Sequence, residues 1–315
     1  MTGAAALKFD IIGDVHGQYE KLVGLLQHLG YQANHGRWKH PNRTAIFVGD
    51  LIDRGPEQVR TVELVRAMEA NGAARCILGN HEFNAIAWAT PDPTNPSKWL
   101  RDHGRPGNFE QHEAFLSEVQ STPRHQELLD WFKTLPMWLD LGGLRVVHAC
   151  WHQASIDKLM TLSGPEGHLT DQLIQWGNEK GTWAYQAIET VCKGPEVKLP
   201  STISFVDKGG KIRHEVRVRW WKDDLSTYRK AAIGPPGDMK MIPDVPMPAE
   251  WQAHPYAGPP VIFGHYWFTG KPEVISPKFA CVDYSAAKDG PLVAYRWDGE
   301  SELSSDKLKW EGQSQ

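Results

Sequence analysis

The stretch IIGDVHG, residues 11–17, ends an apolar run in a carboxylate, Asp14, and an imidazole, His16. The run is typical of a buried strand, and the glycine before Asp14 permits a sharp turn and a close backbone approach. An apolar run that ends in a polar side chain returns in FVGDLIDRG (47–55), ILGNHE (77–82), RVVHA (145–149) and VIFGH (261–265), with the preceding glycine in all but RVVHA. Each of the five predicted strands therefore ends in a side chain that is able to bind a metal ion.

Side chains at the carboxyl ends of strands converge in an open α/β sheet, because the ligand crevice lies outside those ends. The predicted ligands are Asp14, His16, Asp50, Asn80, His148 and His265. Carboxylate, imidazole and amide groups without a thiolate suit Mn²⁺, with Fe, Zn²⁺, Mg²⁺ and Co²⁺ as alternatives. Six ligands exceed the needs of one ion. The sequence therefore predicts two divalent cations that share a bridging carboxylate and hold a hydroxide as the nucleophile.

The segments around these motifs predict an α/β fold. The runs LKFDII, TAIFV and ARCIL are typical of strands, and apolar residues at helical spacing separate them, at 22–29 and 59–68. Strands separated in this way pair in parallel, with the helices against the sheet. Further strands are predicted at 144–149, 260–265, 279–284 and 291–297, the last two as a hairpin.

The middle of the chain has a different character. Helices are predicted around 110–120 and 125–134. Residues 151 to about 258 combine helical patterns, a Lys- and Arg-rich run, IRHEVRVRWW, and a proline-rich piece. We interpret this range as a cap-like insertion in a single domain that spans residues 1–315.

Charge and hydropathy exclude several classes of partner. The formal net charge of −4 offers no concentrated positive charge for nucleic acid or for an anionic membrane. No apolar run approaches the roughly 20 residues of a membrane-spanning helix, and the start MTGAAALKFD lacks the features of a signal peptide. We therefore expect a cytoplasmic protein that binds neither nucleic acid nor a membrane. The four cysteines form no C-x-x-C pair, so a thiolate zinc site is not indicated.

The motifs GDVHG, GDLIDRG and GNHE, followed by one His in an apolar run and a later GH, resemble the phosphoprotein phosphatase branch of the calcineurin-like metallophosphoesterases, bacterial type. The resemblance covers residues 9–82 closely and 144–149 and 260–297 more loosely. It implies a β sandwich of two sheets flanked by helices. It also implies that Asp14 and His16 hold one metal ion, that Asp50 bridges, and that the second ion is held by Asn80, His148 and His265.

The resemblance assigns further roles near the metal ligands. His81 resembles the general acid that protonates the leaving oxygen, and Asp53 resembles the group that orients it. Arg54 resembles a phosphate clamp, since a planar guanidinium suits a phosphoryl group, and Asn80 also contacts the phosphate. The family usually has a second phosphate-binding arginine between the two late histidines. Three candidates lie there, and Arg219 is preferred over Arg217 and Arg229.

Other polar and aromatic residues receive ordinary interpretations. Glu82 is interpreted as a charge at a helix start, and most of the ten histidines outside the motifs, a group that contains His112, are interpreted as surface residues. Most of the 14 tryptophans are interpreted as packing residues. The candidates for a wall that stacks on a base or a phosphotyrosine ring are Trp151, Trp220, Trp221 and Trp267.

The preferred function is metal-dependent hydrolysis of phosphate monoesters, on a phosphopeptide or a small phosphomonoester, by an enzyme similar to serine/threonine protein phosphatases. The first alternative is a hydrolase of dinucleoside polyphosphates such as diadenosine tetraphosphate, a reaction of similar bacterial relatives. The intact DRG, with Asp53, departs from symmetric cleavers in which that Asp is replaced, and this favours monoesters. The second alternative is a non-catalytic phosphate-binding module. Its expected mark is a missing ligand or acid, and none is missing.

Overall fold

The computed structural model describes residues 8–206, 212–234, 239–251 and 256–313, and the chain divides into two compact units. The first unit is Met1–Cys192 with Pro259–Gln315, and the second is Lys193–Gly258. In chain order the elements are β1 (Phe9–Ile12), α1 (Tyr19–His28), β2 (Gln32–Asn34), β3 (Arg37–Lys39), β4 (Thr44–Phe47), α2 (Gln58–Ala70), β5 (Ala74–Cys76), α3 (Asn80–Ala89), β6 (Pro91–Asp92), β7 (Asn95–Trp99), α4 (Pro106–Val119), α5 (Pro123–Thr134), β8 (Trp138–Asp140), β9 (Arg145–Val147), α6 (Gln153–Ser163), α7 (Asp171–Trp176), α8 (Trp183–Lys193), β10 (Glu196–Lys198), β11 (Phe205–Val206), β12 (Ile212–Arg213), β13 (Glu215–Arg217), α9 (Tyr228–Ala231), β14 (Val261–Phe263), β15 (Phe279–Cys281), β16 (Val293–Trp297) and β17 (Leu308–Trp310).

Two sheets form the centre of the first unit. The first sheet has the order β17-β16-β1-β4-β5, in which β1, β4 and β5 are parallel and β16 runs antiparallel to β1. The second has the order β15-β14-β9-β8, with β14 parallel to β15 and to β9. One buried cluster contains Ile11 and Ile46 of the first sheet with Val146 and Ile262 of the second, so the sheets pack face to face. The predicted α/β fold with two sheets is confirmed.

The predicted hairpin of residues 279–284 with 291–297 is wrong. β15 pairs in parallel with β14 in the second sheet, whereas β16 pairs antiparallel with β1 in the first. The connection of residues 282–292 therefore passes from one sheet to the other. An apolar run identifies a buried strand, but it does not choose the partner of that strand.

The helices follow the apolar periodicity of the sequence. α1 buries Leu22, Leu25 and Leu26, which lie on one face at helical spacing. The helices predicted around 110–120 and 125–134 are α4 and α5, and each begins with proline, Pro106 or Pro123, whose fixed φ suits the first helical position. None of the helices in the described ranges combines the length and the apolar character that crossing a bilayer requires.

A buried carboxylate connects β1 to its neighbouring segments. Asp10 is fully buried and accepts hydrogen bonds from Arg43 Nε at 2.9 Å and from Arg296 Nε at 3.0 Å. Arg43 also donates to the backbone oxygen atoms of Phe9 and Trp297. A charge in the interior is tolerated only when it is paired and hydrogen-bonded, as here.

The second unit has its own small core. β10 pairs antiparallel with β13 and β11 with β12, and Val197, Val216 and Tyr228 belong to one buried cluster. This unit lies within the predicted insertion at about 151–258, while most of the helical part of that range, α6 to α8, belongs to the first unit. The extent of the insertion and its description as part of a single domain remain predictions.

Candidate active site

The structure brings the predicted metal ligands to one edge of the two sheets. In the first sheet, Asp14 and Asp50 follow β1 and β4, and Asn80 begins α3 shortly after β5. The last residue of β4 pairs with the last residues of β1 and of β5, so the three strands end at the same edge of the sheet. In the second sheet, His148 and His265 follow β9 and β14, whose last residues also pair. All five side chains are buried.

Two groups of possible ligand atoms share one carboxylate. Atoms of His16, Asp50 and His81 lie within 4.8 Å of one another, and so do atoms of Asp50, His148 and His265. Asp50 Oδ2 is 3.7 Å from His16 Nε2, and Asp50 Oδ1 is 3.4 Å from His148 Nε2. Asp50 therefore occupies the position that a bridging carboxylate needs. The first group contains His81, for which we predicted the role of acid.

Asp14 and Asn80 contact residues of the second group. Asp14 Oδ2 accepts a hydrogen bond of 3.0 Å from the backbone N–H of His265. Asn80 Oδ1 lies 3.1 Å from His148 Nε2. The structure thus places Asp14 outside both groups of ligand atoms, and its assignment to the same ion as His16 remains a prediction.

Backbone carbonyl groups orient two of the histidines. His16 Nδ1 lies 2.8 Å from Ile52 O, and His148 Nδ1 lies 2.7 Å from Val48 O. A hydrogen bond at Nδ1 fixes the ring and leaves Nε2 facing Asp50. His16 is 2% exposed, yet its Nε2 has no hydrogen-bond partner among the described residues. A buried ring nitrogen without a partner fits a ligand position for a divalent cation.

Left-handed backbone conformations concentrate at this edge. Positive φ angles between 49° and 76° occur at His16, Asp50, Asp53, Arg54, His265 and Trp267. Such a conformation costs roughly 1–3 kcal/mol at a non-glycine residue and persists where the surroundings enforce it. The surroundings here are close, since a Cβ on Gly264 would lie 2.0 Å from Asp14 Oδ1. The chain segments approach one another more closely than a side chain at position 264 would allow.

Asp53 joins two imidazoles. Its Oδ2 lies 2.5 Å from His81 Nδ1, and its Oδ1 lies 2.8 Å from His112 Nδ1. None of the three residues is more than 3% exposed. His81 Nε2 lies 3.8 Å from Asp50 Oδ2, so the other ring nitrogen faces the predicted metal ligands. The contact between Asp53 and His81 is the one that the predicted orienting role requires.

Burial and nearby charges shift the pKa values of these groups. Burial lowers the pKa of His16 to about 3, with a further contribution from His81. Burial also disfavours the charged form of His148, but the carboxylate of Asp50 raises that pKa to about 10. Against the same burial, Asp50 and Asp53 raise the pKa of His81 above its usual value. The carboxylates therefore favour an imidazolium at His81.

Glu82 connects two of the strand ends. Its carboxylate accepts hydrogen bonds from the backbone N–H groups of Asp50 and Leu51, both at 2.8 Å, and of Gly79 at 3.0 Å. The side chain is fully buried, and burial together with the charge of Asp50 raises its pKa to about 7. The predicted position at a helix start is confirmed, because Glu82 lies in the first turn of α3. Its contacts also fix the segment that carries Asp50.

Two cations lie over the aromatic ring of Trp267, next to His16. Arg54 Cζ is 4.1 Å and Lys288 Nζ is 4.6 Å from the ring centroid of Trp267, which is 5.8 Å from the ring of His16. We refer to Arg54, Trp267 and Lys288 as the Trp267 cluster. Both cations are exposed and Trp267 is half-buried, so the cluster is accessible to a solute. Asp283 fixes it by accepting a hydrogen bond of 2.7 Å from the Trp267 backbone N–H.

Two residues near the site were missed from the sequence. His112 is an exception among the histidines that we interpreted as mostly surface residues, because it is 2% exposed and contacts Asp53. Asp283 is a buried carboxylate whose charge raises the pKa of Asp14, after the larger effect of burial. The pattern used for the other ligands identifies Asp283, since it follows the apolar run of β15. No local pattern identifies His112.

Arg219 belongs to the second unit, just after β13. Its backbone N–H donates to Ala231 O at 2.7 Å, and burial lowers the pKa of its side chain. The assignment of Arg219 to phosphate binding remains a prediction.

A family model described as calcineurin-like phosphoesterase matches residues 7–232. The asymmetrical bis(5'-nucleosyl)-tetraphosphatase PrpE of Oceanobacillus iheyensis is 33% identical over 144 residues, which cover 45% of this chain and 55% of that protein. The symmetrical bis(5'-nucleosyl)-tetraphosphatase of a Marinomonas species is 23% identical over 312 residues, which cover 94% of this chain and 95% of that protein. The chain thus spans about half the length of PrpE.

Solved structures share the fold at low sequence identity. A cold-active protein-tyrosine phosphatase of a Shewanella species matches with a TM-score of 0.50 and 14% identity, over 98% of this chain and 81% of that one. A protein serine/threonine phosphatase of Saccharomyces cerevisiae matches with the same TM-score and identity, over 98% and 80%. At this identity the likeness concerns the fold alone.

Proposed function

The chain belongs to the calcineurin-like phosphoesterase family, and from that premise we propose that it hydrolyses dinucleoside polyphosphates such as diadenosine tetraphosphate. The names of the two tetraphosphatases support this substrate class. The monoester activity that we preferred from the sequence becomes the second candidate.

Two divalent cations fit the donor set. The family uses a dinuclear divalent centre, and the two ligand groups that share Asp50, with the unpartnered His16 Nε2, suit such a pair. When bound, the cations supply Lewis acidity toward the phosphoryl oxygens and lower the pKa of water. Mn²⁺ remains our preferred ion. The proposed ligands are those named from the sequence: Asp14, His16, Asp50, Asn80, His148 and His265.

The other side chains of the site bind the substrate and move one proton. Arg54 is exposed beside the ligand groups and donates to the phosphoryl oxygens, together with the Asn80 amide. His81 donates a proton from Nε2 to the leaving oxygen, while Asp53 holds Nδ1. Asp53 thereby fixes the direction in which the proton leaves.

The observation that carries the proposal is the Trp267 cluster. A dinucleoside polyphosphate combines planar bases with a chain of negative charges, and the cluster offers two exposed cations held over a half-buried indole ring, so that a base can stack against the guanidinium plane of Arg54. Stacking on an aromatic ring contributes about 1–3 kcal/mol per base, and cations favour the phosphates. A simple alkyl phosphate would use only part of this surface.

We further propose asymmetrical cleavage, which yields a nucleoside monophosphate and a nucleoside triphosphate. The intact Asp53 departs from the symmetric cleavers to which the motifs were compared. PrpE, whose name specifies the asymmetrical reaction, supports the same choice.

The test is a comparison of kcat/KM for diadenosine tetraphosphate and for a phosphoserine peptide, with the Mn²⁺-loaded protein. We expect faster turnover of the dinucleotide and AMP with ATP as products, separated by chromatography. Two ADP would refute the asymmetrical mode alone. Faster turnover of the peptide would refute the substrate class. We expect Trp267→Ala to raise KM for the dinucleotide about tenfold and KM for inorganic pyrophosphate, which has no base, by a smaller factor.

Phosphate monoester hydrolysis is the second candidate because of the pair formed by Asp53 and His81. A phosphate leaving group departs with little protonation, whereas an alkoxide requires a proton. A buried and oriented acid therefore accelerates the hydrolysis of a monoester more than that of a polyphosphate. The peptide arm of the same comparison tests this candidate.

A further inference from the structure

The segment from residue 99 to 112 brings a guanidinium close to His81. Arg101 Nη2 donates to Gln111 Oε1 at 2.6 Å, and Gln111 Nε2 lies 3.4 Å from both ring nitrogens of His81. Arg101 Nη1 donates to Asn84 Oδ1 at 3.0 Å, and the backbone N–H of Arg101 donates to Ala87 O at 3.1 Å. The guanidinium is therefore fixed to α3, the helix that carries His81, and only one side chain separates the two groups.

The charge of Arg101 has no adjacent anion. Within the described part of the chain, its side-chain hydrogen bonds go to two neutral amide oxygens and it forms no ion pair. The carboxylates of Asp53 and Glu189 act on it only from beyond ion-pair distance. Burial lowers the pKa of Arg101, since no neighbouring carboxylate replaces the lost hydration. A half-buried guanidinium held by two amides is prepared to bind an anion.

We propose that Arg101 binds the phosphates of the leaving nucleotide, on the far side of the scissile bond. The inference rests on the proposed function, in which His81 faces the leaving oxygen. Gln111 lies between His81 and Arg101, so phosphates attached to the leaving oxygen at His81 extend toward the guanidinium of Arg101. Arg54 is reached through Trp267 from His16. The two arginines thus serve different parts of the polyphosphate chain.

Three aromatic residues on either side of Arg101 in the sequence, Trp88, Trp99 and His103, form a stack of rings. The centroids of Trp88 and His103 are 3.7 Å apart and those of His103 and Trp99 are 5.0 Å apart, with interplanar angles of 19° and 8°. Trp99 is 39% exposed and ends this stack. A planar base extends such a stack, so Trp99 is the surface for the base of the leaving nucleotide.

The chemistry explains why Arg101 distinguishes substrates. The oxygen of water forms a bond to the phosphorus atom and releases one proton to the solvent, while the bond to the leaving oxygen breaks with its electron pair remaining on that oxygen, which takes up the proton of His81. When the leaving group is a nucleotide, the added charge spreads over phosphate oxygens that a guanidinium can contact. A phenolate offers no such oxygens. Arg101 therefore acts as a specificity residue that favours polyphosphates over monoesters.

The experiment compares kcat/KM for diadenosine tetraphosphate and for 4-nitrophenyl phosphate in the Mn²⁺-loaded wild type and in Arg101→Met and Arg101→Lys. We expect Arg101→Met to lower kcat/KM for the tetraphosphate about 10- to 100-fold, and at least tenfold more than for the nitrophenyl ester. Arg101→Lys keeps the charge and should fall between. The matched control is Arg105→Met, an exposed arginine of the same loop that pairs with Asp102 at 3.5 Å. Arg105→Met should leave kcat/KM unchanged for both substrates.

An equal loss for both substrates, or no loss, overturns the inference. Competitive inhibition by tripolyphosphate supplies a second measurement, because this anion carries phosphates whatever the preferred substrate is. We expect its inhibition constant to rise about tenfold in Arg101→Met. If the wild type prefers the phosphopeptide, the proposed function fails. An inhibition constant for tripolyphosphate that is unchanged in Arg101→Met shows separately that Arg101 binds no polyphosphate. An unchanged KM for diadenosine tetraphosphate in Trp99→Ala would refute the inference that the base of the leaving nucleotide stacks on Trp99.

Discussion

Glu82→Gln tests whether a buried carboxylate holds the two strand ends that carry the site. In the structure Oε2 accepts from the N–H groups of Asp50 and Gly79, and Oε1 accepts from that of Leu51. A glutamine keeps one acceptor atom. When its oxygen serves Asp50 and Gly79, its NH₂ group faces the N–H of Leu51, so one hydrogen bond is lost and two donors oppose each other.

The magnitude follows from those three contacts. Leaving one buried N–H without an acceptor costs about 1–3 kcal/mol, and the two remaining hydrogen bonds weaken from charged to neutral, by roughly 1 kcal/mol each. Part of this is offset because the variant no longer buries a charge. We expect a net loss of about 2–4 kcal/mol in the local stability of these segments.

The assay is amide hydrogen exchange of the chelator-treated protein at pH 8, followed in peptides that cover residues 48–52 and 77–82. A loss of about 2–4 kcal/mol corresponds to exchange that is roughly 30- to 700-fold faster. Glu20→Gln is the control, since this carboxylate is exposed on α1 and should leave the exchange unchanged. Unchanged exchange in Glu82→Gln would refute the reasoning. It would mean that the wild-type carboxyl is already neutral and that an amide replaces it without cost.

Three further changes test other parts of the molecule. His112→Phe removes a hydrogen-bond donor to Asp53, so kcat should fall about 10- to 100-fold. The fall should be larger for phenyl phosphate than for 4-nitrophenyl phosphate, because phenolate is the poorer leaving group and depends more on the proton from His81. His112→Gln should recover part of the activity, and equal losses on both esters would contradict this role. Gly264→Ala places a Cβ 2.0 Å from Asp14 Oδ1, so the Mn²⁺ content measured by elemental analysis should fall, whereas Gly24→Ala, with open space around it, should leave the content unchanged. Asp10→Asn leaves Arg43 and Arg296 without their buried anion and should lower the free energy of unfolding in urea by about 3–5 kcal/mol; a midpoint close to that of the wild type would show that this ion pair contributes little.

Much of the site was predictable because its pattern is local. An apolar run followed by glycine and a polar side chain marks a strand end, and parallel strands bring such ends together. The same local pattern applies to Asp283, which follows an apolar run without a glycine, as His148 does, and which was nevertheless missed. The partner of a strand is not a local property. For that reason the two sheets required a family resemblance, and the hairpin of residues 279–297 was predicted wrongly.

His112 shows what a local pattern cannot supply. Its position depends on how α4 packs against the start of α2, where the Glu118 carboxylate accepts from the backbone N–H groups of Gln58 at 2.6 Å and Val59 at 2.9 Å. This contact joins residues that are about sixty positions apart, and it sets the helix face that carries His112 beside Asp53. Periodicity identifies α4 and its buried face, but not the group that this face meets.

Specificity and chemistry are thus supplied by two kinds of structure. The predicted ligands lie on strand ends that are held by left-handed residues and by close approaches such as that at Gly264, so a change there disturbs the whole edge. The segment of residues 99–112 instead joins the site by side-chain contacts, through Gln111 to His81 and through His112 to Asp53. Side-chain contacts can be exchanged without moving the strands. In the function that we propose, the choice between a nucleotide and an alkoxide leaving group is made in this segment, next to His81.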